Sequence, residues 1–120
     1  MLRELEDACV IALTGEVDME TVPLLMQAVH AAQAACSQII IDVTQLTFLD
    51  IPPLHALLTP LYQGTPVWVA GPLADEVERL LTVTGAVRDL HFYPDVTAAL
   101  TAAQAGLPVN DGEGSGTSGR

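Results

Sequence analysis

Two carboxylates, Asp42 and Asp50, stand near the end of one apolar stretch, and Asp18 could join them from an earlier loop. Carboxylates gathered in this way bind a metal ion or do acid–base work. Three histidines, His30, His55 and His91, are scattered. No two of them fall at i, i+4, and none lies at ligand spacing from Cys9 or Cys36. Ser37 is the only serine before the C-terminal tail. A Ser-His-Asp triad would have to be built on that single hydroxyl. Thr44 and Thr47 offer hydroxyls beside the same apolar stretch and are candidate phosphoryl acceptors, or plain loop threonines. These residues do not support an enzyme.

The stretch that must position Asp42 and Asp50 is Ile39–Leu61. It reads as a buried strand over Ile39–Val43, a short loop, a turn at Leu49-Asp50 and a helix. Leu54, Leu57, Leu58 and Leu61 fall at i, i+3, i+4 and i+7, the spacing of one helical face. Pro60 is expected to kink or end that helix near its last turn. The strand is almost wholly apolar, which places it mid-sheet with helices on both faces. Asp50 stands where the turn enters the helix, and amides at a helix start point into such a turn.

Around this centre, Leu2–Leu5 and Cys9–Leu13 read as an edge hairpin turning at Glu6-Asp7-Ala8. Thr14-Gly15 is expected to break the second strand. A helix starting near Asp18 or Thr21 buries Val22, Leu25, Met26 and Val29 and tolerates Pro23 in its first turn. Val67–Ala70 is a further strand, with Trp68 as a core residue. The next helix turns Leu73, Val77, Leu80 and Leu81 inward and stops at Gly85, leaving Glu76, Glu78 and Arg79 as a solvated face. A last short strand is expected within Arg88–Phe92. Asp95 caps a final helix that lines up Val96, Ala99, Leu100 and Ala103. Strands alternating with helices imply an α/β fold with a mostly parallel sheet of four to five strands and about four helices. Residues 1–107 form one domain, and 108–120 read as a disordered Gly/Ser-rich tail.

Composition narrows the function classes. The net charge is −11 and the chain has no lysine. Such a surface repels phosphate backbones and anionic lipid, which argues against nucleic-acid and membrane-surface binding and suits a basic protein partner. A phosphate-binding loop needs its lysine and cannot be built here. Cys9 and Cys36 read as small core or boundary residues of a reducing compartment. No signal peptide or membrane span is visible, so a cytoplasmic location is expected.

Four segments carry a resemblance: Leu13-Thr14-Gly15-Glu16-Val17-Asp18, Ile41-Asp42-Val43-Thr44, Phe48-Leu49-Asp50 and Leu80-Leu81-Thr82-Val83-Thr84-Gly85. In this order and spacing the chain resembles the STAS domain of bacterial anti-sigma factor antagonists over roughly residues 2 to 105. The resemblance implies a non-enzymatic interaction module without a cofactor or metal, regulating sigma-factor-dependent transcription. Its implied partner is an anti-sigma factor or switch-kinase-type protein. Two alternatives stand beside this reading: a STAS accessory subunit of an ABC-type lipid-transport complex, and a small-molecule-binding STAS module.

In phosphorylatable members of that family the turn before the helix reads Asp-Ser-Ser-Gly, and the second Ser accepts the phosphoryl group. Here it reads Asp50-Ile51-Pro52-Pro53. Pro52 takes the acceptor position and has neither hydroxyl nor N–H. A helix start at Pro53 is expected, since Pro53 disfavours the helical region for Pro52. The Asp50 carboxylate, finding no amide on either proline, is expected to reach toward Leu54 or His55 and to flank the helix. The partner surface implied by the resemblance comprises Asp18, Asp50, Ile51, Pro53, Leu54 and His55. His55 adds an imidazole, the side-chain type whose charge ordinarily changes nearest neutral pH.

Overall fold

The computed structural model describes residues 2–5 and 8–105. Five strands form one sheet in the order β1-β2-β3-β4-β5: β1 Leu2–Leu5, β2 Ala8–Val17, β3 Gln38–Leu49, β4 Val67–Ala70 and β5 His91–Tyr93. Only the β1–β2 pair is antiparallel; the other three pairs are parallel. The helices are α1 Val22–Ala35, α2 Ile51–Tyr62, α3 Asp75–Thr84 and α4 Val96–Gln104. The expected α/β architecture and the central place of the Ile39–Val43 strand are borne out. Among the described residues no helix is long and apolar enough to cross a membrane. The expected tail and most of the hairpin turn lie outside the described residues.

Strand β3 is much longer than its sequence announces. Residues 44–49, expected as a short loop running into a turn at Leu49-Asp50, continue the strand and pair with β2 to its end at Val17↔Leu49. Thr14-Gly15 accordingly does not break β2. Paired residues lie 30 apart in sequence at Ala8↔Gln38, 31 apart at Thr14↔Gln45 and 32 apart at Glu16↔Phe48. Each step is an extra residue on β3, a bulge. At the first, the Asp42 carboxylate accepts hydrogen bonds from the Thr44 amide (3.0 Å) and hydroxyl (2.7 Å). Near the second, Gly15 sits at φ 69°, a conformation that glycine adopts without a Cβ penalty. A bulge resets the in–out alternation of a strand. The buried residues of β3's far half are therefore Val43, Leu46 and Leu49, three apart rather than two.

The sheet's two faces are covered unequally. Alternate residues Cys9, Ile11, Leu13, Ile39, Ile41, Val67 and Val69 meet the leucines and valines of α1, α2 and α3 in the main core. The opposite face, with Val10, Ile40 and Trp68, meets α4, whose fully buried residues there are the alanines Ala99, Ala102 and Ala103, with Val96 and Leu100 partly buried against the same cluster. Trp68 is core as expected, and its indole N–H has no acceptor among the described residues. The α4 side is pinned by Gln38 Nε2 donating to the Ala103 carbonyl (2.9 Å) and by the Asp95 cap on the Ala98 amide (2.8 Å).

The cysteines need a correction. Cys9 lies in β2 and Cys36 caps the C-terminus of α1, as their sequence contexts imply, but they are not independent thiols. They form a disulfide, with Cα atoms 5.9 Å apart. A separation of 27 residues carries no pairing signal. The β2–α1 connection folds the helix back along its strand and brings the two together.

Candidate functional site

Parallel pairing of β2 and β3 sets the site. Both strands run out at the same end of the sheet, so Asp18 and Asp50 leave adjacent strand ends. The Asp50 amide donates to the Val17 carbonyl at 3.1 Å and ties the two exits together. After Val17 the chain makes a 3-10 turn over Met19–Thr21. Asp18 caps it, its carboxylate accepting from the Glu20 amide (3.0 Å) and the Thr21 hydroxyl (3.2 Å). Asp18 and Thr21 thus share the cap, and α1 proper starts at Val22. The turn packs against α2.

The helix α2 begins at Ile51, two residues before the expected start at Pro53. A first turn is where proline fits a helix: its missing N–H would have had no intrahelical acceptor, and its φ is already helical. Asp50 occupies the N-cap, and its carboxylate accepts from the Ile51 amide at 2.8 Å, not from Leu54 or His55. The Leu54 amide instead makes the first helical bond, to the Asp50 carbonyl at 3.1 Å.

This accounts for every orphan amide of the helix start. Asp50 N–H goes to Val17, Ile51 N–H goes to the Asp50 carboxylate, and Pro52 and Pro53 have none. No donor is left to hold an anion, and a carboxylate already occupies the place where one would sit.

The six implied partner residues divide by exposure. Asp18, Ile51 and His55 are exposed and Asp50 is half-buried, whereas Pro53 and Leu54 are buried and support the surface from beneath. Around the exposed set lie side chains that sequence reasoning did not assign to it. Met19 is 65 % exposed, Phe48 37 % and Val83 77 %, beside Ile51 of the implied set at 46 %. Phe48, Ile51 and Val83 line one groove, and Met19 stands on the turn next to Asp18. A groove between the end of β3, the start of α2 and α3 is lined by Phe48, Asp50, Ile51, Glu76, Arg79, Leu80 and Val83. Glu76 and Arg79, expected as an ordinary solvated face, therefore belong to its wall. The available signal was Val83, an apolar residue three after Leu80 on a helix whose inward face was already filled.

Other candidates are not brought together. Asp42 sits mid-sheet opposite Ala12 and Ala70, eight residues up β3 from Asp50, roughly 20 Å or more at the rise of extended chain. Its carboxylate serves the Thr44 bulge. Among the described residues no three His, Cys, Asp or Glu side chains converge as a metal site. Thr47 is exposed on β3. The apolar space enclosed under α2 and α3, lined by Ile41, Leu57, Val69 and Leu81, has no polar lining and is part of the core.

Comparison with known proteins agrees with this geometry. A family model described as "Mlab, STAS domain" matches residues 1–90. No curated protein sequence matches the chain. Among solved structures, an anti-sigma factor antagonist from Mycobacterium paratuberculosis is similar at 27 % identity and TM-score 0.74, over 87 % of this chain and 92 % of that one. The Bacillus cell fate determinant SpoIIAA in its phosphorylated form is similar at 19 % identity and TM-score 0.62, over 88 % and 97 %. A sulfate transporter family protein from Wolinella succinogenes is similar at 16 % identity and TM-score 0.67, over 84 % and 88 %. At the identities of the last two, the likeness shows the fold alone. The family model spans three quarters of the sequence, and with the β2–β3–α2 geometry described above it identifies the chain as a member of the STAS-domain family.

Proposed function

We propose that this protein is a protein-interaction module of the anti-sigma factor antagonist type, acting without a phosphorylation switch. One observation carries the reading: the start of α2 presents an exposed apolar surface but has no free amide and no hydroxyl at Pro52. A binding surface is kept, while the chemistry that would let a kinase modify it is missing. The partner is an anti-sigma factor or switch-kinase-type protein with a basic contact face, since the rim carries Asp18, Asp50 and Glu76 and the chain's net charge is −11.

The site residues of this reading are Asp18, Asp50, Ile51 and His55, widened to Met19, Phe48 and Val83. Co-purification from the native host, followed by mass spectrometry of the bound protein and affinity measurements on Asp50→Lys and Ile51→Asp, tests it. The expected partner is an anti-sigma factor, and both variants weaken binding at least tenfold with the fold intact. Unchanged affinity in both would move the interface elsewhere. Recovery of an ABC-type ATPase in place of an anti-sigma factor would select the accessory-subunit alternative. A second test addresses the switch. Incubation with a switch kinase and ATP is expected to leave the α2 turn unmodified, and phosphate on Thr47 or Thr44 would overturn the unswitched reading.

A further inference from the structure

The Cys9–Cys36 pair joins two residues of very different burial. Cys9 is fully buried among Ile11, Leu25 and Ile39 in the main core, while Cys36 is half-buried at the helix end, next to exposed Ser37. The bond encloses Val10–Val17 of β2, the Asp18–Thr21 turn and all of α1. It therefore closes the segment that carries Asp18 and Met19.

We propose that Cys9–Cys36 is a reversible redox site, entered through Cys36, that staples α1 to the sheet when oxidised and releases it when reduced. The co-reactant is a small-molecule disulfide such as oxidised glutathione. The Cys36 thiolate attacks one of its sulfurs, forming a mixed disulfide and releasing one reduced glutathione. The Cys9 thiolate then attacks the Cys36 sulfur, forming the Cys9–Cys36 bond and releasing the second. The two protein thiol protons end on the two glutathione thiols, and glutathione disulfide takes up the two electrons. Reduction runs the same steps backward, with attack on the Cys36 sulfur, because Cys36 is the half-buried residue of the pair and Cys9 the fully buried one.

Disulfides that persist in oxidising compartments are permanent staples, whereas those in reducing ones act transiently. A pair with one fully buried and one half-buried residue has the asymmetry that stepwise exchange needs. A closed loop of this length also has a sizeable effect on the unfolded chain. Reduction is expected to raise the unfolding equilibrium constant on the order of a hundredfold.

The test is a titration of the whole protein with oxidised and reduced glutathione, with thiols counted by alkylation and mass spectrometry. The wild-type chain is expected to pass between dithiol and cystine as the ratio changes, and to unfold at lower denaturant when reduced. The Cys36→Ser variant is expected to leave native Cys9 unreacted and to lose all redox dependence of stability. The Cys9→Ala variant keeps an apolar core and is expected to trap the glutathione mixed disulfide on Cys36. A wild-type chain that stays dithiol in excess oxidised glutathione would overturn the site. A cystine that resists excess reduced glutathione would overturn its reversibility. Reaction of Cys9 in native Cys36→Ser at the wild-type rate would overturn entry through Cys36. None of these outcomes depends on what binds the α2 surface, so this proposal and the proposed function fail separately.

Discussion

Asp50 shows how one residue can close a site as well as build it. Its backbone joins two strand exits, and its carboxylate satisfies the one N-terminal amide of α2 that the prolines leave behind. Asp50→Ala is expected to cost about 1 kcal/mol as a lost N-cap. Denaturant unfolding measures it, and a loss near zero would mean that water replaces the carboxylate without penalty. Gly71 is a second single-residue constraint. It has φ 107°, and a Cβ there would collide with the Thr44 hydroxyl and lie 2.9 Å from the Thr44 amide. Thr44 in turn is held by the Asp42 carboxylate. Gly71→Ala therefore strains the backbone and presses on the first β3 bulge together, for a loss of about 2 kcal/mol or more. A near-neutral midpoint would show that the β4–α3 turn yields at little cost.

Helix α2 is the element where stability and signalling chemistry diverge. Restoring the family's residues with Pro52→Ser and Pro53→Gly returns two amide donors and a hydroxyl to the helix start. Both replacements add freedom to the unfolded chain, and the expected loss is on the order of 1 kcal/mol per proline. Pro53 is buried, so its share also includes lost packing. The double variant is expected to be less stable and to accept phosphate from a related switch kinase. Greater stability would mean that the prolines are strained rather than locking. A folded variant that is never phosphorylated would mean that the departure from the family extends beyond these two positions, with His55 the next to examine.

The whole molecule is lopsided. Three helices bury leucine and valine on one side of the sheet, and one helix buries alanine on the other. Alanines, with Val96 and Leu100 only partly buried beside them, remove less apolar area from water than the buried leucines and valines of the other face, so α4 is held less firmly than α1 or α2. Native-state hydrogen exchange is expected to show α4 amides exchanging through a partial opening well below the global unfolding free energy, with β3 amides at the global limit. Equal protection in α4 and β3 would contradict this. The single tryptophan, Trp68, lies under α4 and reports the opening independently by fluorescence. Because the proposed partner surface is on the three-helix side and at the sheet end, α4 opening is expected to leave it intact.

Local periodicity was enough to establish the α/β order, the leucine face of α2, the Gly85 stop and the Asp95 cap, because each depends on residues within one or two turns of one another. The STAS motifs added the family and pointed to Asp18 and Asp50. Tertiary structure decided the rest. Two bulges turn the β3 pattern from alternate to every third residue after Val43, so Leu46 looks like loop and Leu49 like a turn until pairing with β2 is seen. Parallel register brings Asp18 beside Asp50 and carries Asp42 away from both. The groove needs α3, whose Val83 meets Phe48 and Ile51 only through the fold. The cysteine pair depends on the return of α1 along β2. Sequence spacing records which face of an element is apolar. It does not record which distant element arrives to cover that face, and the site is made at such arrivals.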